Sequence, residues 1–246
     1  MCNRIVNNPT PSPQSHPLRV IAITGCDGSG KSTLANRLVQ TLALRTSVEQ
    51  VYLGQSSGFI KQKITELPWV GEKIAAYLVS KSDKVHEKPT TPPGNVEGTV
   101  IFLLSCWRAY KFKRMLRREQ EGVLLVTDRY PQAEVAGFRV DGPHLGKAQG
   151  GSRWIQMLRK REQRLYEWMS SYPPALLIRL SVDEDTAYAR KPDHDIASLR
   201  EKIRVIPTLT FNGANILELS GNDPEDTVFK AALEAIHQTF NLPHSS

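Results

Sequence analysis

The sequence predicts an α/β fold in which helices cover both faces of a five-stranded parallel sheet. Two observations support this prediction. Short apolar runs, rich in β-branched residues, alternate with longer stretches of helical periodicity along the chain. A chain of 246 residues is also long enough to bury a large core as one domain without disulfides or a structural metal.

Five runs are predicted to be strands because each is short and apolar. They comprise residues 19–24, 48–53, 123–127, 175–181 and 215–219. Seven segments with three- and four-residue apolar spacing are predicted to be helices. They comprise residues 31–44, 70–81, 99–121, 153–170, 183–190, 196–204 and 224–240. Because a helical segment separates most consecutive strands, we expect the strands to run parallel.

The helix predicted over 99–121 combines aromatic and basic residues. Its apolar side chains keep a helical spacing and are Val100, Leu103, Leu104, Trp107 and Tyr110. We therefore expect this face to pack against the core and the basic residues to lie in solvent. An RNA-binding surface is the alternative that the mixture of aromatic and basic residues leaves open.

Composition restricts the class of protein. Residues 1–17 are rich in Asn, Pro and Ser and are expected to form a disordered tail before one domain over 18–246. Three scattered cysteines suggest neither a disulfide framework nor a zinc site and favour a cytoplasmic location. No apolar run reaches the roughly 18 residues that a membrane span needs. We interpret the net charge of +7 as a phosphate pocket on a basic surface, with neither nucleic acid nor membrane as partner.

A glycine-rich segment joins the first predicted strand to the first helix. It consists of Gly25, Cys26, Asp27, Gly28, Ser29, Gly30, Lys31, Ser32 and Thr33, and it matches G-x-x-x-x-G-K-[ST]. Glycines let backbone N–H groups turn toward phosphate oxygens, and the positive end of the helix dipole lies beside them. Lys31 can reach the β- and γ-phosphates, and Ser32 can offer a hydroxyl to Mg²⁺. The segment predicts a three-layer P-loop NTPase fold that binds ATP with Mg²⁺; a chance glycine turn is the alternative.

A second acidic position follows the third predicted strand, where Asp128 precedes Arg129 and Tyr130. A carboxylate at the end of a strand beside the P-loop strand can hold Mg²⁺ or its waters. The alternative is an aspartate that only starts a turn. Arg129 can neutralise phosphate charge or form a salt bridge.

Together these segments resemble the thymidylate kinase family. The family's phosphate-binding loop is similar to GCDGSGKST, including the acidic residue Asp27. Its order of arginine, helix, glycine turn, strand and Asp-Arg-Tyr is similar to FLLSCWRAYKFKRMLRREQEGVLLVTDRY, residues 102–130. Residues 180–190 and 216–236 resemble the strand–helix pairs that lead to its lid and end its domain. The resemblance covers about two thirds of the chain.

The resemblance implies roles for the matching residues. ATP would be held by Gly25, Asp27, Gly28, Ser29, Gly30, Lys31, Ser32 and Thr33. Mg²⁺ would lie near Ser32 and Asp128. Asp27, Arg108, Arg129 and Tyr130 would contact the acceptor. Catalysis would involve Lys31, Asp128, Arg129 and Arg190, with Arg190 at a short lid over 190–196. The alternatives are a solvated helix charge for Arg108 and a helix-end cation for Arg190.

The chain also departs from the family. The family has Arg-Glu-Pro-Gly after its second strand, whereas this chain has Gly54-Gln55-Ser56-Ser57-Gly58 within an insert over 54–98. The segment Asp141-Gly142-Pro143 has no assigned place. The small-molecule acceptor therefore stays open between a nucleoside monophosphate, with dTMP as the family default, and a nucleoside or other metabolite. A nucleotide-dependent regulatory ATPase or switch and a homodimer are also left open.

Overall fold

A single parallel sheet organises the computed structural model, which describes residues 17–54, 92–147, 149–192 and 195–241. Its strands are β1 (Leu18–Gly25), β2 (Val48–Tyr52), β3 (Leu124–Asp128), β4 (Pro174–Ser181) and β5 (Ile216–Ser220). Their order is β2-β3-β1-β4-β5, and all neighbours are parallel. The predicted fold class is confirmed, because helices cover both faces of this five-stranded sheet.

Six α-helices lie in the described ranges. They are α1 (Lys31–Leu42), α2 (Asn95–Gln120), α3 (Arg153–Ser170), α4 (Glu184–Arg190), α5 (Ile196–Val205) and α6 (Glu225–Phe240). Three of them begin at a side-chain cap, since Ser152 accepts from the Ile155 amide at 3.2 Å, Asp183 from the Thr186 amide at 2.7 Å and Asp195 from the Ser198 amide at 2.9 Å. Gly122, with φ 83°, lies just beyond the end of α2, as predicted. None of the described helices is long and apolar enough to cross a membrane.

The central strand β1 divides the core into two apolar clusters. Because side chains alternate along a strand, Val20 and Ala22 face the cluster that α2 and α3 cover. Ile21 and Ile23 face the cluster that α1 and α6 cover. Strands buried on both faces are apolar at nearly every position, and this makes them recognisable from the sequence. The carboxyl ends of the strands then meet at one edge of the sheet.

The buried face of α2 differs from the predicted one. The expectation that Leu103, Trp107 and Tyr110 pack against the core is wrong, since these side chains are 52%, 44% and 52% exposed. Trp107 stacks on Tyr110 with ring centroids 5.5 Å apart. The buried positions of α2 are Gly98, Ser105, Arg108, Ala109, Phe112 and Met115. Ser105 and Arg108 are polar and have polar partners inside the fold. Because a buried face that contains polar residues is not recognised by hydrophobic periodicity, the prediction favoured the other face.

Several expectations concern residues outside the described ranges. These are the tail over 1–17 apart from Pro17, the helix over 70–81, and most of the insert over 54–98. Residues 193 and 194 of the predicted lid also lie outside them. Helix α2 begins at Asn95, earlier than predicted.

Phe112→Ala is expected to lower the free energy of unfolding by about 3–5 kcal/mol. The Phe112 side chain is fully buried, and its ring meets the rings of Tyr130 and Trp168 edge-on with centroids 5.7 Å from each. Truncation therefore leaves a cavity in a closely packed cluster. Urea unfolding followed by circular dichroism measures the change. In the control Leu44→Ala, where the side chain is 85% exposed, the change should stay within about 0.5 kcal/mol. Equal losses in the two variants would contradict the prediction.

Candidate functional site

The loop between β1 and α1 has the backbone geometry of a phosphate cradle. Gly28 and Gly30 have φ of 80° and 92°, in the left-handed region that glycine adopts without strain. A Cβ at Gly28 would lie 2.7 Å from the carbonyl oxygen of Ala187, so the loop also needs glycine to pack against α4. Helix α1 begins at Lys31, immediately after the loop. Its unbonded first amides and the positive end of its dipole therefore lie at the loop.

Lys31 is a buried cation inside this loop. Its side-chain ammonium donates to the carbonyl of Cys26, and only 7% of the residue is exposed. Burial, together with the charge of Arg129, lowers the pKa of Lys31 to about 8, although Asp27 and Asp128 act in the opposite direction. An anion bound at the loop would stabilise the protonated form of Lys31.

Strand pairing brings Asp128 to the same loop. Strands β1 and β3 are neighbours with Ile23 opposite Asp128, and the Ser32 hydroxyl donates to Asp128 Oδ2 at 2.9 Å. The second carboxylate oxygen, Oδ1, is buried and accepts no hydrogen bond from the residues that the structure describes. A buried carboxylate oxygen without a donor is costly, and a cation bound there would compensate for it.

Ser32 and Asp128 are suited to bind a divalent cation, whose other ligands would have to come from outside the described side chains. Ser32 and Asp128 offer oxygen atoms, which Mg²⁺ prefers. Across the described ranges, no group of three or more His, Cys, Asp or Glu side chains is arranged as a metal site. A cation at Asp128 would therefore complete its coordination with water and phosphate oxygens, as Mg²⁺ does in phosphoryl-transfer sites.

Arg129 connects the end of β3 to the glycine-rich loop. Its guanidinium donates to Asp27 Oδ1 at 3.2 Å and to Asp141 Oδ2 at 3.4 Å. Burial opposes the charge of Arg129, but Asp141 and Asp27 together raise its pKa above the ordinary value. Asp27 also pairs with Lys202 of α5. Burial alone would raise the pKa of Asp27, yet Lys202, with Lys31 and Arg129, holds it well below its ordinary value.

Arg108 reaches the same carboxylate from α2. Its Nη2 donates to Asp141 Oδ1 at 3.0 Å, and its Nη1 donates to the Asp141 carbonyl at 3.3 Å. With 1% exposure, Arg108 is not the solvated helix charge that was one alternative. Asp141, which had no assigned place in the sequence, thus bridges Arg108 and Arg129. Whether Arg108 contacts an acceptor stays a prediction.

Lys111 adds a further cation beside Arg108. Its ammonium donates to the carbonyls of Tyr52, at 3.1 Å, and Gly54, at 3.0 Å, where β2 ends. Burial, followed by the charge of Arg108, lowers the pKa of Lys111 to about 8. A Cβ at Gly54 would lie 2.8 Å from Arg129 Cδ, so the end of β2 packs directly against Arg129.

The two remaining predicted residues lie in different surroundings. Arg190, at the end of α4, donates to the carbonyls of Gly28 at 3.1 Å and Gly221 at 2.8 Å, so it adjoins the glycine-rich loop. Tyr130 does not join the polar groups. It is 1% exposed in the core, and its hydroxyl donates to the Tyr172 carbonyl at 2.6 Å. The expectation that Tyr130 contacts an acceptor is corrected, because a side chain enclosed in this way has no surface for a ligand.

Sequence reasoning missed Asp141, Lys111 and Lys202 as members of this site. Asp141 lies in a glycine-rich loop without periodicity, so nothing in the sequence indicated what it faces. For Lys202 a weak signal existed, because it follows Leu199 by three residues and both lie on the buried face of α5. A lysine on an apolar helix face indicates a buried partner for its charge.

The sheet order, the loop between β1 and α1, and Asp128 beside it define an α/β protein of the P-loop class. More particularly, the chain belongs to the family of the Escherichia coli proteins YghS and YghR. It is 62% identical to "Uncharacterized ATP-binding protein YghS" of strain K12 over 223 residues, 91% of this chain and 94% of the relative. It is 40% identical to "Uncharacterized ATP-binding protein YghR" of strain K12 over 230 residues, 93% and 91% of the two chains. No protein-family model matches the chain.

Asp27→Asn is expected to lower the free energy of unfolding by about 3 kcal/mol near neutral pH, because it removes the carboxylate paired with the buried charge of Lys202 and leaves Arg129 with Asp141 alone. The pKa of Asp27 in the folded protein lies below its ordinary value of 3.8. The stabilisation is therefore complete above that pH and is lost as the pH falls below it toward the folded-state pKa.

Urea unfolding of parent and Asp27→Asn at about pH 7 and about pH 2.5 measures this difference. Glu225→Gln is the control, since it breaks an ion pair with Arg37 in which the Glu225 side chain is 60% exposed. Its effect should stay within about 1 kcal/mol. A loss in Asp27→Asn that is as small as in the control, or independent of pH, would contradict the prediction.

Proposed function

We propose that this protein is a phosphotransferase that moves the γ-phosphoryl group of ATP, with Mg²⁺, to a small-molecule acceptor. One observation carries the proposal: the Ser32 hydroxyl donates a hydrogen bond to Asp128 beside the buried cation Lys31. The second carboxylate oxygen of Asp128 has no donor among the described residues. The names of both relatives, which describe ATP-binding proteins, support ATP as the nucleotide.

The proposed roles follow from the positions of the side chains. The amides of the glycine-rich loop and Lys31 would hold the phosphates of ATP. Ser32 and Asp128 would hold Mg²⁺, which when bound neutralises charge that develops on the phosphate oxygens. Arg129, fixed between Asp27 and Asp141, would present positive charge to the transferring group. Arg190, which already contacts the loop carbonyl of Gly28, would lie near the same group.

In the proposed reaction an acceptor oxygen forms a bond to the γ-phosphorus. The bond from that phosphorus to the β–γ bridging oxygen breaks, and its electron pair stays on ADP. The proton of the acceptor hydroxyl passes to solvent. Catalysis comes from positioning and charge neutralisation and needs no covalent intermediate with the protein.

Two classes of acceptor are candidates. The resemblance to thymidylate kinases supports a nucleoside monophosphate, with dTMP as the default. An unphosphorylated nucleoside or other hydroxylated metabolite is the second candidate. The carboxylate of Asp141, which lies on both Arg108 and Arg129, favours this second class.

ADP release from Mg²⁺·ATP, measured with a panel of nucleosides, nucleotides and sugars, tests the proposed function. A phosphotransferase releases ADP in proportion to an acceptor and forms the phosphorylated product, which mass spectrometry detects. A regulatory ATPase instead hydrolyses ATP slowly whatever the acceptor. ADP release that no acceptor stimulates would contradict the proposal.

Lys31→Ala is expected to weaken ATP binding by about tenfold or more, because a charged hydrogen bond to phosphate is lost. The fold should persist, since Lys31 is the first residue of α1 and its ammonium bonds only a carbonyl of the glycine-rich loop among the contacts described. The pKa of about 8 adds a pH signature. Raising the pH from about 7 to about 9 should weaken binding by the parent and not by the variant. Isothermal titration calorimetry measures both effects, and equal affinity of the two proteins would contradict the assignment.

Asp128→Asn is expected to retain nucleotide binding with a modest loss and to lower turnover by at least about a hundredfold. The substitution keeps size and hydrogen bonding to Ser32 but removes the charge that would orient Mg²⁺. Nucleotide titration and ADP release are measured on the same purified variant at matched Mg²⁺, and circular dichroism checks the fold. Turnover within a few-fold of the parent would make Asp128 a turn residue and point to Asp27 as the acidic partner.

A further inference from the structure

We infer that Asp141 occupies the position where the phosphate of an acceptor would bind, so that the acceptor presents an unphosphorylated, hydroxyl-bearing group to Arg108 and Arg129. The inference rests on the proposed phosphotransferase function and specifies its acceptor class. Its starting point is the segment Asp141-Gly142-Pro143, which the resemblance does not account for.

The carboxylate of Asp141 accepts hydrogen bonds from the guanidinium groups of Arg108 and Arg129. Paired arginines bind anions in this arrangement. Asp141 Oδ1 accepts from Arg108 at 3.0 Å, and Oδ2 accepts from Arg129 at 3.4 Å. The Asp141 carbonyl accepts from a second nitrogen of Arg108 at 3.3 Å. Both arginines that the resemblance assigns to the acceptor therefore already have an anionic partner from the same chain.

The backbone around Asp141 is built to keep the carboxylate there. Asp141 has φ 62°, a conformation that aspartate tolerates better than most residues, and its carbonyl accepts from the Gln132 amide at 3.3 Å. A Cβ at Gly142 would lie 1.9 Å from the carbonyl oxygen of Val135, so the next residue fits only as glycine. The Gln132 side chain donates to the carbonyls of Val135, at 2.7 Å, and Val140, at 3.0 Å.

Glu162 of α3 fixes the far side of the same loop. It is fully buried, accepts from the Leu145 amide at 2.7 Å and from the Ser105 hydroxyl at 2.5 Å, and so ties the loop to α2. Ser105 lies one helical turn before Arg108. The loop that carries Asp141 and the helix that carries Arg108 are thereby held together independently of the ion pair.

A phosphate at this position would meet an electrostatic obstacle. Displacing Asp141 would leave its carboxylate, in a residue 8% exposed, without its cations. Leaving Asp141 in place would bring a phosphate against a like charge. Lys111 does not offer a substitute, because its ammonium is engaged by the carbonyls of Tyr52 and Gly54. Residues 54–58 also contain no arginine. A neutral hydroxyl-bearing group avoids all of these costs.

Asp141→Asn tests the inference with two measurements. The variant keeps the size of the side chain, and asparagine also tolerates positive φ, so the loop should keep its conformation. The first measurement is binding of inorganic phosphate by calorimetry, with the glycine-rich loop filled by Mg²⁺ and a non-hydrolysable ATP analogue. The variant should bind phosphate at least about tenfold more tightly than the parent, since the negative charge that repels phosphate beside the two arginines is removed.

The second measurement is ADP release with matched acceptors, such as thymidine and dTMP, or a sugar and its phosphate. The parent should prefer the unphosphorylated member of an active pair by at least about tenfold, and Asp141→Asn should reduce that preference. Glu218→Gln is the control, because Glu218 also forms an ion pair with an arginine. That arginine is Arg179, and Glu218 itself lies on β5. It should change neither phosphate binding nor acceptor preference.

The outcomes separate the inference from the proposed function. A parent that prefers phosphorylated acceptors, or that binds phosphate as tightly as Asp141→Asn, overturns the inference. Absence of acceptor-stimulated ADP release in every protein contradicts the proposed function, and phosphate binding then still decides the place of Asp141. Should the variant fail to fold, the acceptor preference of the parent decides alone.

Discussion

The guanidinium of Arg129, paired with the carboxylates of Asp27 and Asp141, holds together the edge of the sheet where the strands end at their carboxyl ends. Charges of alternating sign run from Arg108 through Asp141, Arg129 and Asp27 to Lys202, and each member lies mostly inside the protein. Because a buried charge is tolerated only beside a partner, no member can leave without exposing its neighbours to that cost. Helix α2, the end of β3, the glycine-rich loop and α5 are therefore held in one arrangement around the phosphate cradle. The network positions the cradle from both sides of the central strand.

The apolar parts of the fold could be predicted from the sequence because their signals are local. The five strands and the helix with Leu34, Leu38 and Leu42 inside follow from runs and periodicities, and the structure places them within a few residues of the predictions. The same holds for the glycine-rich loop and Asp128, since adjacent parallel strands must end at the same edge of the sheet. Positions that need a positive φ, such as Gly28 and Gly30, could be recognised because glycine occupies them in the sequence.

The remaining part of the site could not be predicted because it consists of pairs distant in sequence. Nothing near Asp141 indicates that its carboxylate meets Arg108, and nothing near Asp27 indicates Lys202. The same pairs explain the error on α2. Arg108 and Ser105 are buried because Asp141 and Glu162 satisfy them, which leaves Trp107 and Tyr110 on the surface. A prediction from hydrophobic periodicity assumes that the polar face of a helix is exposed to solvent. That assumption does not hold where polar side chains are buried with their partners.

The central place of β1 also sets the order of events when the chain folds. Among the described strands β1 is synthesised first, yet its neighbours β3 and β4 come much later, with Val20 beside Leu125 and Ile21 beside Leu176. Closing such long loops is slow, since their entropy is lost before the contacts that reward it can form. On the ribosome, the apolar run of β1 thus stays without β3 until about half of the chain has been synthesised, and without β4 for longer still. The phosphate cradle at the end of β1 can consequently be completed only after β3, which brings Asp128 to it, has been synthesised.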